Sequence, residues 1–177
     1  MRILYMALLV LAVAVMWTML DTAALAYDDD DDDDNIVSLL DNCDPNAGWT
    51  GPGCIQKKGK DDDVTPAEFD ALLLSPLSTS VVGHPSWRNS PSYLSIRVGE
   101  SVQVKNRGGR PHTFTKVANF GGGVVPPLNA GLVLAPECAA LANLAPGDKA
   151  KVTGLARGVH KFQCCFHPWM RAAIKVR

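Results

Sequence analysis

Residues 164–170 read Cys164-Cys165-Phe166-His167-Pro168-Trp169-Met170. A thiol, an imidazole and a thioether follow one another at intervals of three. The flanks have strand texture: residues 159–164 follow the turn signal Arg157-Gly158, and residues 172–177 are apolar at alternate positions. The septet therefore reads as a loop that joins two strands and carries three donor side chains. Adjacent strand residues point to opposite faces, so Cys164 and Cys165 are not expected to serve one metal ion together. His160 and Phe162 share the parity of Cys164 and are expected to face inward, His160 as a satisfied core or rim histidine.

A thiolate and a thioether suit Cu(I), and imidazole serves both copper oxidation states. A trigonal plane of two imidazoles and one thiolate with a weak axial thioether disfavours rearrangement when copper changes state. The loop supplies one imidazole, so a second must come from elsewhere. His112 stands 52 positions before Cys164, directly after Gly108-Gly109-Arg110-Pro111. Between and before these points the chain is strand-like. Leu94, Ile96 and Val98 alternate with polar residues, as do Val102 and Val104, and residues 112–117 and 149–155 read as further strands. Residues 121–136 form a long Gly- and Pro-rich loop, and residues 138–143 suit one helical turn. Several short strands separated by turn signals predict an all-β sandwich.

The pattern Cys164-x-x-His167-x-x-Met170, with Pro168 after the histidine, resembles the copper loop of amicyanin and other plastocyanin-like cupredoxins. The upstream segment Asn106-x-Gly108-x-x-Pro111-His112-x-Phe114 is similar to the strand that donates the first histidine in that family. The resemblance covers residues 92–177. It implies a Greek-key β-sandwich, one type 1 copper held by His112, Cys164, His167 and Met170, and transfer of single electrons between redox protein partners. Cys165 departs from the family's loop. Trp169, between two ligands, is expected to shield the metal or meet a partner.

Residues 1–26 combine a basic start, an apolar run over residues 3–20 and Ala24-Leu25-Ala26, which reads as a secretory signal peptide, the rival being an uncleaved membrane anchor. Either places the rest of the chain outside the cytoplasm, in the periplasm or cell envelope. Residues 27–64 read as an acidic, turn-rich arm that is partly disordered around Asp28 to Asp34. Asp41, Asp44 and Asn46 hint at a calcium loop, but no glutamate stands at the twelfth position, and they read as structural. Thr65-Pro66-Ala67-Glu68 has the form of a capping box that opens a short helix to about residue 74. The rest of residues 65–91, including His84, reads as an extended linker, and residues 92–177 as the cupredoxin domain. Net charge is −1, yet residues 27–91 carry fourteen acids and four bases, and residues 92–177 twelve bases and three acids. This asymmetry suggests an acidic partner or an intramolecular clamp, with no nucleic-acid signature and no membrane contact beyond the N-terminal segment.

Five cysteines in an exported chain leave at least one outside internal disulfides. With Cys164 kept as a metal thiolate, Cys138 is expected to pair with Cys165 and Cys43 with Cys54. No Cys-x-x-Cys-His occurs, which excludes the usual covalent haem attachment. The expected function is non-enzymatic electron carriage. The alternatives are a non-redox copper protein of delivery, storage or resistance, and a structural module that has lost its metal or holds zinc. Copper oxidases and nitrite reductases need more cupredoxin domains or copper sites than this length provides.

Overall fold

The computed structural model describes residues 35–49, 54, 63–73, 83, 84 and 86–177. The segment read as a signal peptide, the Asp28 to Asp34 run and most of the Pro- and Ser-rich linker lie outside the described residues. Among those described, no helix is long and apolar enough to cross a membrane.

Among the described residues, ten strands form two four-stranded sheets and a two-stranded ribbon. The first sheet has the order β2-β1-β4-β8, from Arg88–Ser90, Ile36–Leu40, Val102–Asn106 and Lys149–Val152. The second has the order β3-β10-β9-β6, from Tyr93–Ile96, Arg171–Val176, Gly158–Gln163 and Thr115–Val117. The ribbon pairs β5 (His112–Thr113) with β7 (Asn143–Leu144). Both sheets are mixed: β1 runs parallel to β4, and β10 parallel to β3, while the other pairs are antiparallel. Parallel neighbours need crossover connections, so the chain passes repeatedly from one sheet to the other.

Alternation sets the faces. In β4, Val102, Val104 and Asn106 are buried between the half-buried Gln103 and Lys105, and in β10 Ala172, Ile174 and Val176 are buried. Val37, Leu39, Val102 and Val104 of one sheet meet Ile96, Phe162, Ala172, Ile174 and Val176 of the other in one core, which also holds Trp87, Cys164 and Met170. Each Val, Leu, Ile, Phe or Met among these contributes about 1.5–3 kcal/mol when fully buried. On the outer edge, β8 exposes Lys149 and Lys151, which discourages pairing with another chain.

The sandwich begins well before residue 92. The stretch read as an arm supplies β1, and the stretch read as a linker supplies β2, both inside the first sheet. Ile36-Val37-Ser38-Leu39-Leu40 has only two buried positions and follows seven aspartates, so charge masked a short strand. The expected strand over residues 112–117 is two, because β5 pairs with β7 and β6 with β9, with Phe114 at the break. The expected helical turn near Cys138 is a 3-10 helix over Pro136–Ala139, and β8 stops at Val152.

The helix α1 spans Pro66–Leu73 and opens with the capping box. The Thr65 N–H donates to Glu68 Oε2 at 2.8 Å, and the Glu68 N–H donates to Thr65 Oγ1 at 3.3 Å. Phe69 of this helix packs on the core beside Trp49 and Trp87.

Candidate metal centre

The septet 164–170 is the connection between the antiparallel neighbours β9 and β10. Backbone bonds close it: the Cys164 N–H donates to the Met170 carbonyl at 3.0 Å, and the Met170 N–H to the His167 carbonyl at 2.9 Å. Arg171 Nε donates to the Pro168 carbonyl at 2.8 Å. The loop is stitched to β5 as well. The Thr113 N–H donates to Cys164 Sγ at 3.4 Å, and the Cys165 N–H to Thr113 Oγ1 at 2.8 Å. His112, one residue before Thr113, is thereby carried to the same place.

Three of the four expected donors converge. Cys164 Sγ lies 3.8 Å from His112 Nδ1 and 3.8 Å from His167 Nδ1, and all three atoms lie within 4.8 Å of one another. Cys164 and His112 are fully buried, and His167 is 7% exposed. Met170 is fully buried in the same core. His160 stays apart, with Nε2 2.7 Å from the Ala156 carbonyl, and His84 accepts the Ser86 N–H at Nδ1 at 3.2 Å. Both expected disulfides form, Cys43–Cys54 and Cys138–Cys165, leaving Cys164 as the free cysteine among the described residues. Cys165 turns away from Cys164 into a small second core with Val117, Ala135 and Cys138.

The electrostatics favour a charged pair before any metal arrives. Burial opposes the Cys164 thiolate, yet the two imidazoles hold its pKa well below the ordinary thiol value. Burial also opposes a charged His112, but its hydrogen bond to Asp41 and the nearby Cys164 sulfur raise its pKa to about 9. Burial lowers His167. Cysteine and histidine bind metal in their deprotonated forms, so ion binding here is coupled to proton release.

Aromatic rings enclose His167. Its centroid is 5.5 Å from Trp169, 6.1 Å from Phe69 and 6.2 Å from Trp87. Trp169 is itself held by its Nε1–H, which donates to the Trp87 carbonyl at 3.0 Å. Gly83 lies against the Trp169 ring so closely that a Cβ there would overlap it.

Asp41 is the residue that the sequence reading missed. It follows β1, is fully buried, and accepts the Gly109 N–H at 2.6 Å and the Arg110 N–H at 3.0 Å. Its Oδ2 also lies 2.6 Å from His112 Nε2. Asp44, read with it as part of one cation loop, instead accepts the Asn46 N–H at 2.8 Å in a local turn. Only the register of β1 on β4, with Leu39 beside Asn106, reveals where Asp41 goes, and that strand pair was not legible in the sequence.

The donor set fits a metal ion. With metal–nitrogen bonds of about 2.0 Å and metal–sulfur bonds of about 2.3 Å, an N–metal–S angle near 120° separates the donors by about 3.7 Å, and a tetrahedral angle by about 3.5 Å. The observed 3.8 Å on both sides is close enough for one ion to be shared by Cys164 and each imidazole. Asp41 engages the far nitrogen of His112 and leaves Nδ1 to face the other donors. Two mixed sheets, with a His–Cys–His group built from the β9–β10 connection and the start of β5, decide the architecture. The fold is cupredoxin-like.

No family model and no curated relative matches the chain. Among solved structures, it is similar to a purple cupredoxin from Nitrosopumilus maritimus, with 24% identity over 58% of this chain and 94% of that one, at a TM-score of 0.39. It is also similar to amicyanin in a reduced variant, with 24% identity over 49% of this chain and 70% of that one, at a TM-score of 0.34. A Cu(I) variant of amicyanin matches at 21% identity over 51% of this chain and 73% of that one, at a TM-score of 0.36.

Proposed function

We propose that this chain is a type 1 copper protein that carries single electrons, and that His112, Cys164, His167 and Met170 would hold the copper. The observation that carries the proposal is the pair of 3.8 Å separations between one buried sulfur and two imidazole nitrogens. Bound copper would supply a one-electron couple between Cu(II) and Cu(I). The chain's own residues supply the rest. The sandwich fixes the donors, Thr113 donates a hydrogen bond to the Cys164 sulfur, and the rings around His167 exclude water. Donors already in place need little movement when an electron arrives or leaves.

An apolar groove lined by Phe69, Pro111, Val125, Leu128 and Phe166 reaches the His167 ring, and Arg110 stands on its rim. A redox partner seated there approaches the metal through His167. No substrate or general base is required. Enclosure of His167 at 7% exposure disfavours the delivery reading, because a site that hands on copper must open to its receiver. Residues 1–26 support export to the periplasm or cell envelope, and the basic residues of 92–177 support an acidic partner.

Voltammetry of the copper-loaded protein tests the electron-carrier reading. A single reversible one-electron wave, with copper retained over repeated cycles, is expected. Loss of copper on reduction, or transfer of Cu(I) to an acceptor chelate at each cycle, would instead support delivery.

A further inference from the structure

We infer that Asp41 is a positioning residue for the metal: it orients His112 through the far ring nitrogen and biases the bound copper toward Cu(II). The inference rests on the copper reading above and adds to it a residue from the part of the chain that the family resemblance does not reach.

Geometry places the carboxylate. Leu39 of β1 stands beside Asn106 of β4, so the next residues of the first chain segment pass over the loop at residues 107–111. Asp41 settles on that loop, where Oδ1 accepts the Gly109 N–H and Oδ2 accepts the Arg110 N–H. Gly108 is pressed so close to the carboxylate that a Cβ there would overlap it. Asn106 shapes the same loop: its Nδ2 donates to the Arg110 carbonyl at 2.8 Å and to the Leu144 carbonyl at 2.9 Å, and its Oδ1 accepts the Gly108 N–H at 3.0 Å. The remaining reach of Oδ2 goes to His112 Nε2, at 2.6 Å between two fully buried side chains. This bond holds Nε2 as the protonated nitrogen and presents Nδ1 to Cys164 and His167.

Charge sets the direction. A carboxylate on the far nitrogen of a ligating imidazole makes that imidazole a stronger donor, and stronger donors favour the higher oxidation state. Two buried anions, the Cys164 thiolate and the Asp41 carboxylate, balance a doubly charged ion and leave a singly charged one over-compensated. Poor screening in the interior makes that difference count. Removing the charge therefore weakens Cu(II) binding more than Cu(I) binding. Loss of such a partner typically costs about 10- to 100-fold in metal affinity.

The test compares wild-type protein with Asp41→Asn and Asp41→Ala, each loaded with copper, by voltammetry and by the Cu(II) absorption spectrum. Asp41→Asn should move the Cu(II)/Cu(I) balance at least tenfold toward Cu(I), which for a one-electron couple is a rise of about 59 mV. Its charge-transfer band should persist, because an amide oxygen can still accept from His112. Asp41→Ala should raise the potential too and alter the band. A wild-type protein with no copper band would overturn the copper reading itself. A wild-type band with a potential unmoved in both variants would overturn the role of Asp41 alone. Should the variants fail to fold, nitrogen-15 NMR of wild-type Cu(I) protein decides. A slowly exchanging, strongly downfield proton on His112 Nε2 supports the inference, and an unprotonated or freely exchanging Nε2 contradicts it.

Discussion

The Val124 N–H donates to the Cys165 carbonyl at 2.7 Å, which ties the long glycine-rich loop to the residue beside the expected metal thiolate. Gly123, one position earlier, lies flat against that same carbonyl, and a Cβ there would overlap it. The Cys138–Cys165 disulfide pins Cys165 from another side. The position of Cys164 is thus fixed through its neighbour as well as by Thr113.

Gly123→Ala should consequently destabilise the fold by about 1–3 kcal/mol, the usual cost of forcing atoms into a packed site. Denaturant unfolding of the metal-free protein measures it. A change under about 0.5 kcal/mol would mean that the loop yields freely and does not brace the site.

Met170→Gln should keep copper and lower its reduction potential, since a harder axial oxygen donor favours Cu(II). Voltammetry reads the shift directly. An unchanged potential would remove Met170 from the axial position.

Thr65→Ala should cost about 1 kcal/mol through loss of the helix cap, seen as faster hydrogen exchange in α1. The cap also predicts a pH dependence. The Glu68 carboxylate is held below its usual pKa of 4.5, chiefly by the Thr65 N–H. Its contribution is present above the unfolded value and is lost as pH falls through the lowered folded value. Protection of the α1 amides should therefore drop on acidification below about pH 4.5 in wild type and less in Glu68→Gln. Equal pH profiles would remove Glu68 from the cap.

Replacing Asp28 to Asp34 with asparagines should raise the association rate with an acidic redox partner, most strongly at low salt. Competition of the acidic arm with the partner for the basic sandwich would be weakened by screening over about 8 Å at physiological salt. The change stops at residue 34 because β1 begins at Ile36. Stopped-flow electron transfer across a salt series reads the effect, and rates that match at every ionic strength would make the arm a plain spacer.

How much of this was legible in the sequence depended on spacing. Cys164, His167 and Met170 share one short loop, and His112 follows a Gly-Gly-x-Pro turn, so local pattern sufficed to name the candidate donors, of which the fold brings His112, Cys164 and His167 together. Parity separated Cys165 from Cys164, and parity is a local property of strands. The capping box was legible for the same reason. What stayed hidden depends on contacts between distant segments. β1 joins β4 in parallel across more than sixty residues, and its short apolar pattern sits beside an acidic run. With β1 unseen, Asp41 looked like one more acid of the arm, although its carboxylate reaches the ring of His112. β2 and β7, of three and two residues, are too short to show any period, and their pairing defines them.

The central claim is a copper ion bound by the Cys164 thiolate between two imidazoles. The most direct measurement is the visible absorption spectrum of the metal-free protein titrated with Cu(II), set beside Cys164→Ser. The account predicts an intense thiolate-to-copper charge-transfer band that saturates at one copper per chain in wild type and is absent from the variant. A colourless wild-type protein, or a band that survives Cys164→Ser, would contradict it.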